Sequence, residues 1–281
     1  MPTERAELHV DDPEVGDLVL DAEIAGADDG EPVLLLHGWP QTSLSWSRVM
    51  PPLASSGMLA VAVDQRGYSP GARPDDVSAY ATAHLVSDAL GVLDALGWES
   101  AHIVGHDWGA IVAWELAARN PAHVRTLTAL SVPHPRSFAQ ALRTDDVQRA
   151  KSMYMRFFRS DPAKAAQVLL ADDAAALRQV YGDDVNHRDV DEYVERFSEP
   201  GALEASLRWY AAMDHMDTPE VHLPTTFVWG HDDVAIGEIA ARGCADFCTG
   251  AYDFRPLEGR GHWLPDQDPD AVVDAILARA G

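Results

Sequence analysis

The stretch GHDWGA, residues 105–110, places one carboxylate between two glycines, where one apolar segment ends and another begins. The run 101–104 before it is typical of a buried strand, and the residues after Gly109 have the apolar spacing of a helix. Small residues on both sides permit a strained turn that lifts the Asp107 side chain above a sheet edge. This is the geometry of the G-x-S-x-G nucleophile elbow, with aspartate in place of serine. Because aspartate also stabilises ordinary turns through its own side chain, the motif alone leaves a purely structural role equally open.

Strand and helix patterns alternate on both sides of this elbow. Continuous apolar runs bounded by turn residues are typical of strands buried on both faces, and strands that alternate with helices favour a parallel sheet. We therefore predict an α/β fold with a mostly parallel central sheet flanked by helices. Strand patterns fall at 6–10, 18–24, 32–36, 58–63, 124–132, 225–229 and 252–257, and helical patterns at 80–96, 110–119 and 269–279.

The alternation stops between residues 133 and 219, where charged and apolar residues interleave as they do in helices. Helical spacing is clearest at 145–159, 162–181 and 202–213. We expect a core of residues 1–132 and 220–281, interrupted by a helical domain at 133–219. That insertion, roughly eighty residues, has the size of a small domain.

Composition limits the partners that this chain can have. The formal net charge is −24, from 21 basic and 45 acidic residues, and such a surface repels nucleic acid. No apolar run has the length of a membrane span or the character of a signal peptide, and two cysteines are too few for a disulfide framework. We expect a cytoplasmic protein without a nucleic-acid or membrane partner. No histidine pair has metal-ligand spacing, so no metal is expected. The oligomeric state stays open, a homo-oligomer included.

A nucleophile elbow needs a histidine base and an acid, in the chain order nucleophile, acid, histidine. Asp233 follows the strand pattern at 225–229, with Asp232 as its neighbouring rival, and His262 follows the last strand. Open α/β sheets place their sites just past the carboxyl ends of strands. Alone, His262 is equally well explained as a solvated loop histidine. The order Asp107, Asp233, His262, each after its own strand, favours a catalytic set.

The strand at 32–36 ends in His37-Gly38-Trp39-Pro40. In a fold with a nucleophile elbow, two backbone amides stabilise the developing negative charge. One amide belongs to Trp108, which follows the nucleophile, and we assign the other to Trp39. His37 is expected to order the loop, and both tryptophans to form pocket walls as well.

The sequence resembles the α/β-hydrolase superfamily and, within it, the epoxide hydrolases, which are close to the haloalkane and haloacetate dehalogenases. The resemblance covers the chain from about residue 8 to residue 280 and implies an α/β-hydrolase fold whose insertion at 133–219 is a helical cap domain. The matching stretches are HGWPQTSLSW (37–46), DQRGYSPGARP (64–74), GHDWGAIVAW (105–114), WGHDD (229–233) and GRGHW (259–263).

Epoxide hydrolases also carry two cap tyrosines that hold the epoxide oxygen. The resemblance assigns these to Tyr210 and, through a looser match, to Tyr154. Ring opening puts negative charge on oxygen, which two phenol donors can stabilise and protonate. Both tyrosines are otherwise ordinary aromatics of amphipathic helices.

The resemblance implies an epoxide hydrolase that opens a small apolar epoxide with water to a vicinal diol. A carboxylate can displace a leaving group at saturated carbon, forming an alkyl ester on Asp107 that water activated by His262 then hydrolyses. This chemistry requires no metal and no organic cofactor. Besides the residues already named, we expect the substrate pocket to include His37, Pro40, His106, Phe157, Trp209 and Trp263.

Two other functions stay open. A haloalkane or haloacetate dehalogenase would use the same three catalytic residues. The haloalkane enzymes usually carry asparagine where this chain has Trp39, and the haloacetate enzymes usually carry arginine where it has Trp108; both departures favour epoxides. A non-catalytic binding module of the same fold is the third reading, which the intact set of Asp107, Asp233 and His262 disfavours.

Overall fold

The computed structural model of the chain describes residues 3–213 and 217–280. In this part of the chain, eight strands form one sheet in the order β1-β2-β4-β3-β5-β6-β7-β8. The β1–β2 and β2–β4 pairs are antiparallel and the remaining neighbours are parallel. The sheet is thus mostly parallel, as the sequence predicts. The strands are β1 (Glu4–Asp12), β2 (Gly16–Ala25), β3 (Glu31–Leu36), β4 (Met58–Val63), β5 (Ala101–His106), β6 (Val124–Leu130), β7 (Thr225–Gly230) and β8 (Tyr252–Leu257).

The central strands are buried on both faces. Every residue of β4 and β5 is buried, as are the last four residues of β3. Successive side chains of a strand point to opposite faces. Leu34 and Leu36 accordingly join one apolar cluster, and Val33 and Leu35 join the other. Two apolar layers, one on each face, thus hold the sheet and fix the edge at which its parallel strands end.

Helices cover the sheet and fill the segment between β6 and β7. The helices outside that segment are α1 (Met50–Ser55), α2 (Thr82–Ala95), α3 (Trp108–Arg119), α10 (Glu238–Arg242), α11 (Leu264–Gln267) and α12 (Pro269–Ala280). Those between β6 and β7 are α4 (Pro135–Thr144), α5 (Asp146–Lys151), α6 (Tyr154–Ser160), α7 (Pro162–Tyr181), α8 (His187–Ser198) and α9 (Ala202–Ala212). Residues 145–159 form two helices, and α7 is broken at 171–174, where Asp172, Asp173 and Ala174 have positive φ. The division into a core and a cap domain at 133 and 219 stays a prediction.

The helices between β6 and β7 contact the loops that follow the central strands. The indole Nε1 of Trp209 on α9 donates a hydrogen bond to the backbone oxygen of Arg66 at 2.8 Å. The hydroxyl of Tyr181 on α7 donates to the backbone oxygen of Pro40. These buried contacts hold the helices over the edge at which β3, β4 and β5 end.

No helix within residues 3–213 and 217–280 combines the length and apolar character needed to cross a bilayer. Within the same ranges, no group of three or more His, Cys, Asp or Glu side chains is arranged to hold a metal ion.

Candidate active site

Asp107 lies between β5 and α3 with φ 51° and ψ −117°. This region is unfavourable for a residue with a Cβ atom, and strained backbone of this kind concentrates at functional sites. The turn depends on Gly105, because a Cβ there would collide with the backbone oxygen of Gly109. The elbow geometry predicted from the sequence is therefore present, with the carboxylate held at the edge of the sheet.

The loop after β3 reaches the Asp107 carboxylate. The backbone N–H of Trp39 donates to Oδ1 of Asp107 at 2.7 Å. This approach requires Gly38, because a Cβ there would collide with the Asp107 side chain. The buried His37 holds this loop through two hydrogen bonds. Its Nε2 accepts from the backbone N–H of Gln65 at 3.2 Å. Its Nδ1 therefore carries the proton, which it donates to the backbone oxygen of Gly38 at 3.1 Å. Burial lowers the pKa of His37, which keeps the ring neutral.

Asp233 stands on the other side of the histidine. Its Oδ2 accepts a hydrogen bond from Nδ1 of His262 at 2.9 Å. Its Oδ1 accepts from the backbone N–H groups of Ala235 at 2.7 Å and Ile236 at 2.9 Å. The rival Asp232 has a side chain that is 66% exposed and lies beside His231 instead. Asp233, and not Asp232, is the carboxylate that contacts the imidazole.

The imidazole of His262 lies between two carboxylates. Its Nε2 is 3.4 Å from Oδ2 of Asp107. Burial opposes the charged ring, but Asp233 and Asp107 outweigh it and raise the pKa of His262 to about 10. Burial likewise opposes ionisation of Asp107, yet His262 and the backbone N–H of Trp108 bring the pKa of that carboxyl below its ordinary value. At neutral pH the pair is thus an imidazolium and a carboxylate.

The carbonyl oxygen of His262 is held by two donors, Nε2 of His106 at 2.8 Å and Oγ of Ser131 at 2.7 Å. Burial, together with the charge of His262, lowers the pKa of His106 to about 4, so His106 is neutral. These two residues fix the backbone of His262 and lie behind the ring. The sequence pattern gave no signal for Ser131, because 131 residues separate it from its partner.

The two predicted tyrosines come together above the elbow. Tyr154 begins α6, Tyr210 lies on α9, and their ring centroids are 6.2 Å apart. Tyr210 is buried and packs edge-on against Trp108 at 5.0 Å, whereas Tyr154 is 39% exposed. Burial, reinforced by nearby Asp107, raises the pKa of both phenols. Both therefore stay protonated and can donate a proton across the physiological pH range.

A cavity of about 310 Å³ connects these groups. Among the residues predicted for the site, Asp107, His262, Tyr154, Tyr210, Trp39 and Trp263 line it. Trp108 lines a smaller space of about 30 Å³ that shares Asp107 and both tyrosines. Four other residues expected in the pocket are buried and do not line this cavity: His37, Pro40, His106 and Trp209. Phe158 lines the cavity where Phe157, 37% exposed, was expected. The remaining lining residues are Lys151, Val180, Val234 and Ala235.

A larger groove of about 680 Å³ lies between the β1–β2 pair and α8. Its wall is mainly acidic, with Arg5 and Arg196 as its basic side chains, and it contains none of Asp107, Asp233 and His262. Size alone does not identify a catalytic site, whereas a nucleophile, a base and an orienting acid in mutual contact do. The smaller cavity above the elbow is the candidate active site.

The loop after β7, which carries Asp233, is held on α5 by Gln148, a residue that no sequence pattern predicts for the site. Its Nε2 donates to the backbone oxygen of Ala235 at 2.8 Å, and its Oε1 accepts from the backbone N–H of Gly237 at 2.8 Å. Gln148 is fully buried. The loop that carries Asp233 is thus held both by its own turn and by α5.

Known proteins share this arrangement of fold and sequence. A sequence model of the α/β-hydrolase fold matches residues 31–269. YfhM of Bacillus subtilis, an AB hydrolase superfamily protein, is 29% identical over 269 residues, which cover 92% of this chain and 93% of that one. Epoxide hydrolase A of Mycobacterium tuberculosis is 30% identical over 298 residues, covering 90% of this chain and 92% of that one. The crystal structure of epoxide hydrolase A from Mycobacterium thermoresistibile superposes with a TM-score of 0.85 at 26% identity, covering 99% and 98% of the two chains.

The sheet order, the strained elbow and the matched family model together define an α/β hydrolase. A carboxylate occupies the elbow where many hydrolases have a serine hydroxyl. The chain belongs to the epoxide hydrolase family of these proteins.

Proposed function

We propose that this protein hydrolyses a small apolar epoxide to a vicinal diol through an alkyl ester on Asp107. One observation carries the proposal: the elbow presents a carboxylate that contacts the Trp39 N–H and faces His262, in a cavity shared with two protonated tyrosines. The relatives that carry the name epoxide hydrolase support the choice of substrate class. A cavity of about 310 Å³ lies at the small end of the usual range for ligand sites.

In the first step, a carboxylate oxygen of Asp107 attacks a ring carbon and the carbon–oxygen bond of the epoxide breaks. The ring oxygen takes a proton from Tyr154 or Tyr210, the two phenols of the cavity. The product is a neutral ester, so His262 has lost one of the two carboxylates that stabilise its charge. His262 then gives up a proton, which passes through water to the tyrosinate and restores the phenol.

In the second step, neutral His262 removes a proton from water, and hydroxide adds to the carboxyl carbon of Asp107. The backbone N–H of Trp39 already donates to this carboxylate, and with that of Trp108 it can stabilise the oxyanion. When the intermediate collapses, the diol leaves with the second proton of the water. Asp107 is again a carboxylate and His262 again an imidazolium, so protons and electrons balance over the cycle.

This order of events explains the need for aspartate. A serine elbow forms an acyl-enzyme whose carbonyl comes from the substrate, and an epoxide has no carbonyl. An aspartate supplies its own carbonyl to the intermediate. The oxyanion donors at Trp39 and Trp108 therefore act on the enzyme's carboxyl group, not on the substrate.

One turnover in heavy-oxygen water, with enzyme in excess over an epoxide such as styrene oxide, tests the proposal. We expect the label in the carboxyl group of Asp107, read by mass spectrometry of its peptide, and unlabelled diol. Label in the diol with none at Asp107 would rule out the ester mechanism. A parallel panel of haloalkanes and haloacetate, read by halide release, tests the dehalogenase alternative. If neither the epoxide nor the halogenated compounds are turned over, the result would favour a binding module.

A further inference from the structure

Lys151 ends α5 and lines the same cavity as Asp107 and His262. The chain contains only two lysines, the other being Lys164 on α7. Lys151 is partly buried, whereas Lys164 is exposed. The other lining residues are mainly aromatic and aliphatic, and the reaction proposed above assigns no role to Lys151. The contacts of its ammonium group indicate what it can bind.

The ammonium group of Lys151 has three donors, and one of them binds the backbone oxygen of Asp233. In the ranges 3–213 and 217–280, the other two have no hydrogen-bond acceptor. Nor does any carboxylate of these ranges lie within 4.0 Å of the group, although the chain has 45 acidic residues. Burying part of a cation without an anionic partner is costly. This arrangement leaves two donors of the Lys151 ammonium available to an anionic group of a ligand.

We propose that Lys151 determines specificity by binding the carboxylate of an epoxy acid while Asp107 opens its ring. The inference rests on the proposed function and names the substrate class within it. Hydrogen bonds between an ammonium and a carboxylate are about twice as strong as those between neutral groups. The apolar walls at Trp39, Phe158 and Val180 hold the carbon skeleton between the two ends.

The net charge of −24 does not prevent an anion from entering. Exposed carboxylates are screened beyond the Debye length, about 8 Å at physiological ionic strength, whereas a charge in a partly buried wall is screened much less. Inside the cavity, the imidazolium of His262 contacts the carboxylates of both Asp107 and Asp233. Lys151 is therefore the lining cation that no carboxylate of residues 3–213 and 217–280 contacts, and its ammonium is available to an anionic group of a ligand.

A substrate pair with one skeleton tests this assignment: 3,4-epoxybutanoate and its primary amide. We expect wild type to favour the acid and Lys151→Met to lower kcat/KM for the acid by about 10–100-fold, the usual worth of a charged hydrogen bond. The amide should change by less than about twofold, Lys151→Arg should retain most of the preference, and Lys164→Met, the matched control, should behave as wild type.

An equal loss for acid and amide in Lys151→Met would mean that Lys151 only positions the Asp233 loop, and would overturn the proposal. Absence of an acid preference in wild type would overturn it as well. Calorimetric binding of the product acid, 3,4-dihydroxybutanoate, and of its amide gives a readout that does not need turnover. Acid binding that disappears in a folded Lys151→Met variant supports the carboxylate site even if the epoxides are not hydrolysed. Failure of the carboxylate site can therefore be distinguished from failure of the proposed function.

Discussion

Nε2 of His262 lies 3.4 Å from Oδ2 of Asp107, on the ring edge opposite the 2.9 Å hydrogen bond from Nδ1 to Asp233. The imidazole of His262 thus contacts two carboxylates, which have different roles in the proposed mechanism. Asp233 accepts hydrogen bonds from His262 and from two backbone N–H groups, and it takes no covalent part in the proposed reaction. In the proposed mechanism, alkylation removes the charge of Asp107 and thereby lowers the pKa of His262, so that the ring becomes neutral when a base is needed.

Replacing Asp107 by asparagine mimics this loss of charge. A neighbouring carboxylate stabilises the imidazolium, so its removal should lower the pKa of His262 clearly below the value of about 10 found beside ionised Asp107. An NMR titration of the ring protons in Asp107→Asn and wild type measures the shift. Asp232→Asn removes an exposed carboxylate one residue from Asp233 and is the matched control; a similar shift in both variants would contradict the coupling.

His262→Gln should accumulate the alkyl ester. In the proposed mechanism, ring opening uses Asp107 and the tyrosines, whereas ester hydrolysis uses His262 as the base, so only the second step should fail. Mass spectrometry after incubation with an epoxide should show the mass of the whole substrate added to the peptide that contains Asp107. The double variant with Asp107→Asn should carry no adduct. An unmodified Asp107 peptide in the single variant would speak against a covalent intermediate.

Tyr210→Phe should slow ring opening more than ester hydrolysis. Loss of a proton donor typically costs about 10²–10⁴-fold in rate, and Tyr154 partly replaces it because the two rings lie 6.2 Å apart. Rapid-quench measurement of ester formation and decay separates the two steps. Tyr80→Phe, which removes a buried hydroxyl that donates to Pro74 away from the site, controls for lost stability. A defect confined to ester decay would remove Tyr210 from the first step.

The parts of the site that follow strands could be predicted from the sequence. Asp107 follows β5 immediately, Asp233 and His262 lie in the loops after β7 and β8, and parallel strands end at one edge of the sheet. Contacts between distant segments carry no such local signal: Gln148 and Gly237 are 89 residues apart, and Lys151 and Asp233 are 82 apart.

The side of a helix that faces the cavity was the second feature that could not be predicted from the sequence. Successive residues of a helix point about 100° apart, so a pattern that identifies a helix does not fix which of two adjacent aromatics faces a cavity. Phe158 lines the cavity and Phe157 does not. The break of α7 at 171–174 likewise has no glycine or proline to announce it.

Asp266 makes the contact between the loop after β3 and α11 sensitive to pH. Its side chain is 4% exposed and accepts a hydrogen bond from Nε2 of Gln41 at 2.7 Å, while Arg48 lies 3.8 Å away. Burial, only partly offset by Gln41 and Arg48, raises the pKa of Asp266 to about 7. The folded state therefore holds a proton that the unfolded chain releases near its ordinary value of 3.8.

Between about pH 4 and pH 7 this difference lowers the free energy of unfolding as pH rises, because the native state binds more protons than the unfolded state. Asp266→Asn keeps an oxygen that can accept from Gln41 but cannot ionise. The melting temperature of Asp266→Asn minus that of wild type should thus become more positive from pH 4.5 to pH 8, as differential scanning calorimetry can measure. Asp270→Asn, an exposed carboxylate on α12, controls for the loss of one negative charge. A difference that stays constant with pH, or that matches the control, would mean that Asp266 is ionised throughout this range in the native protein.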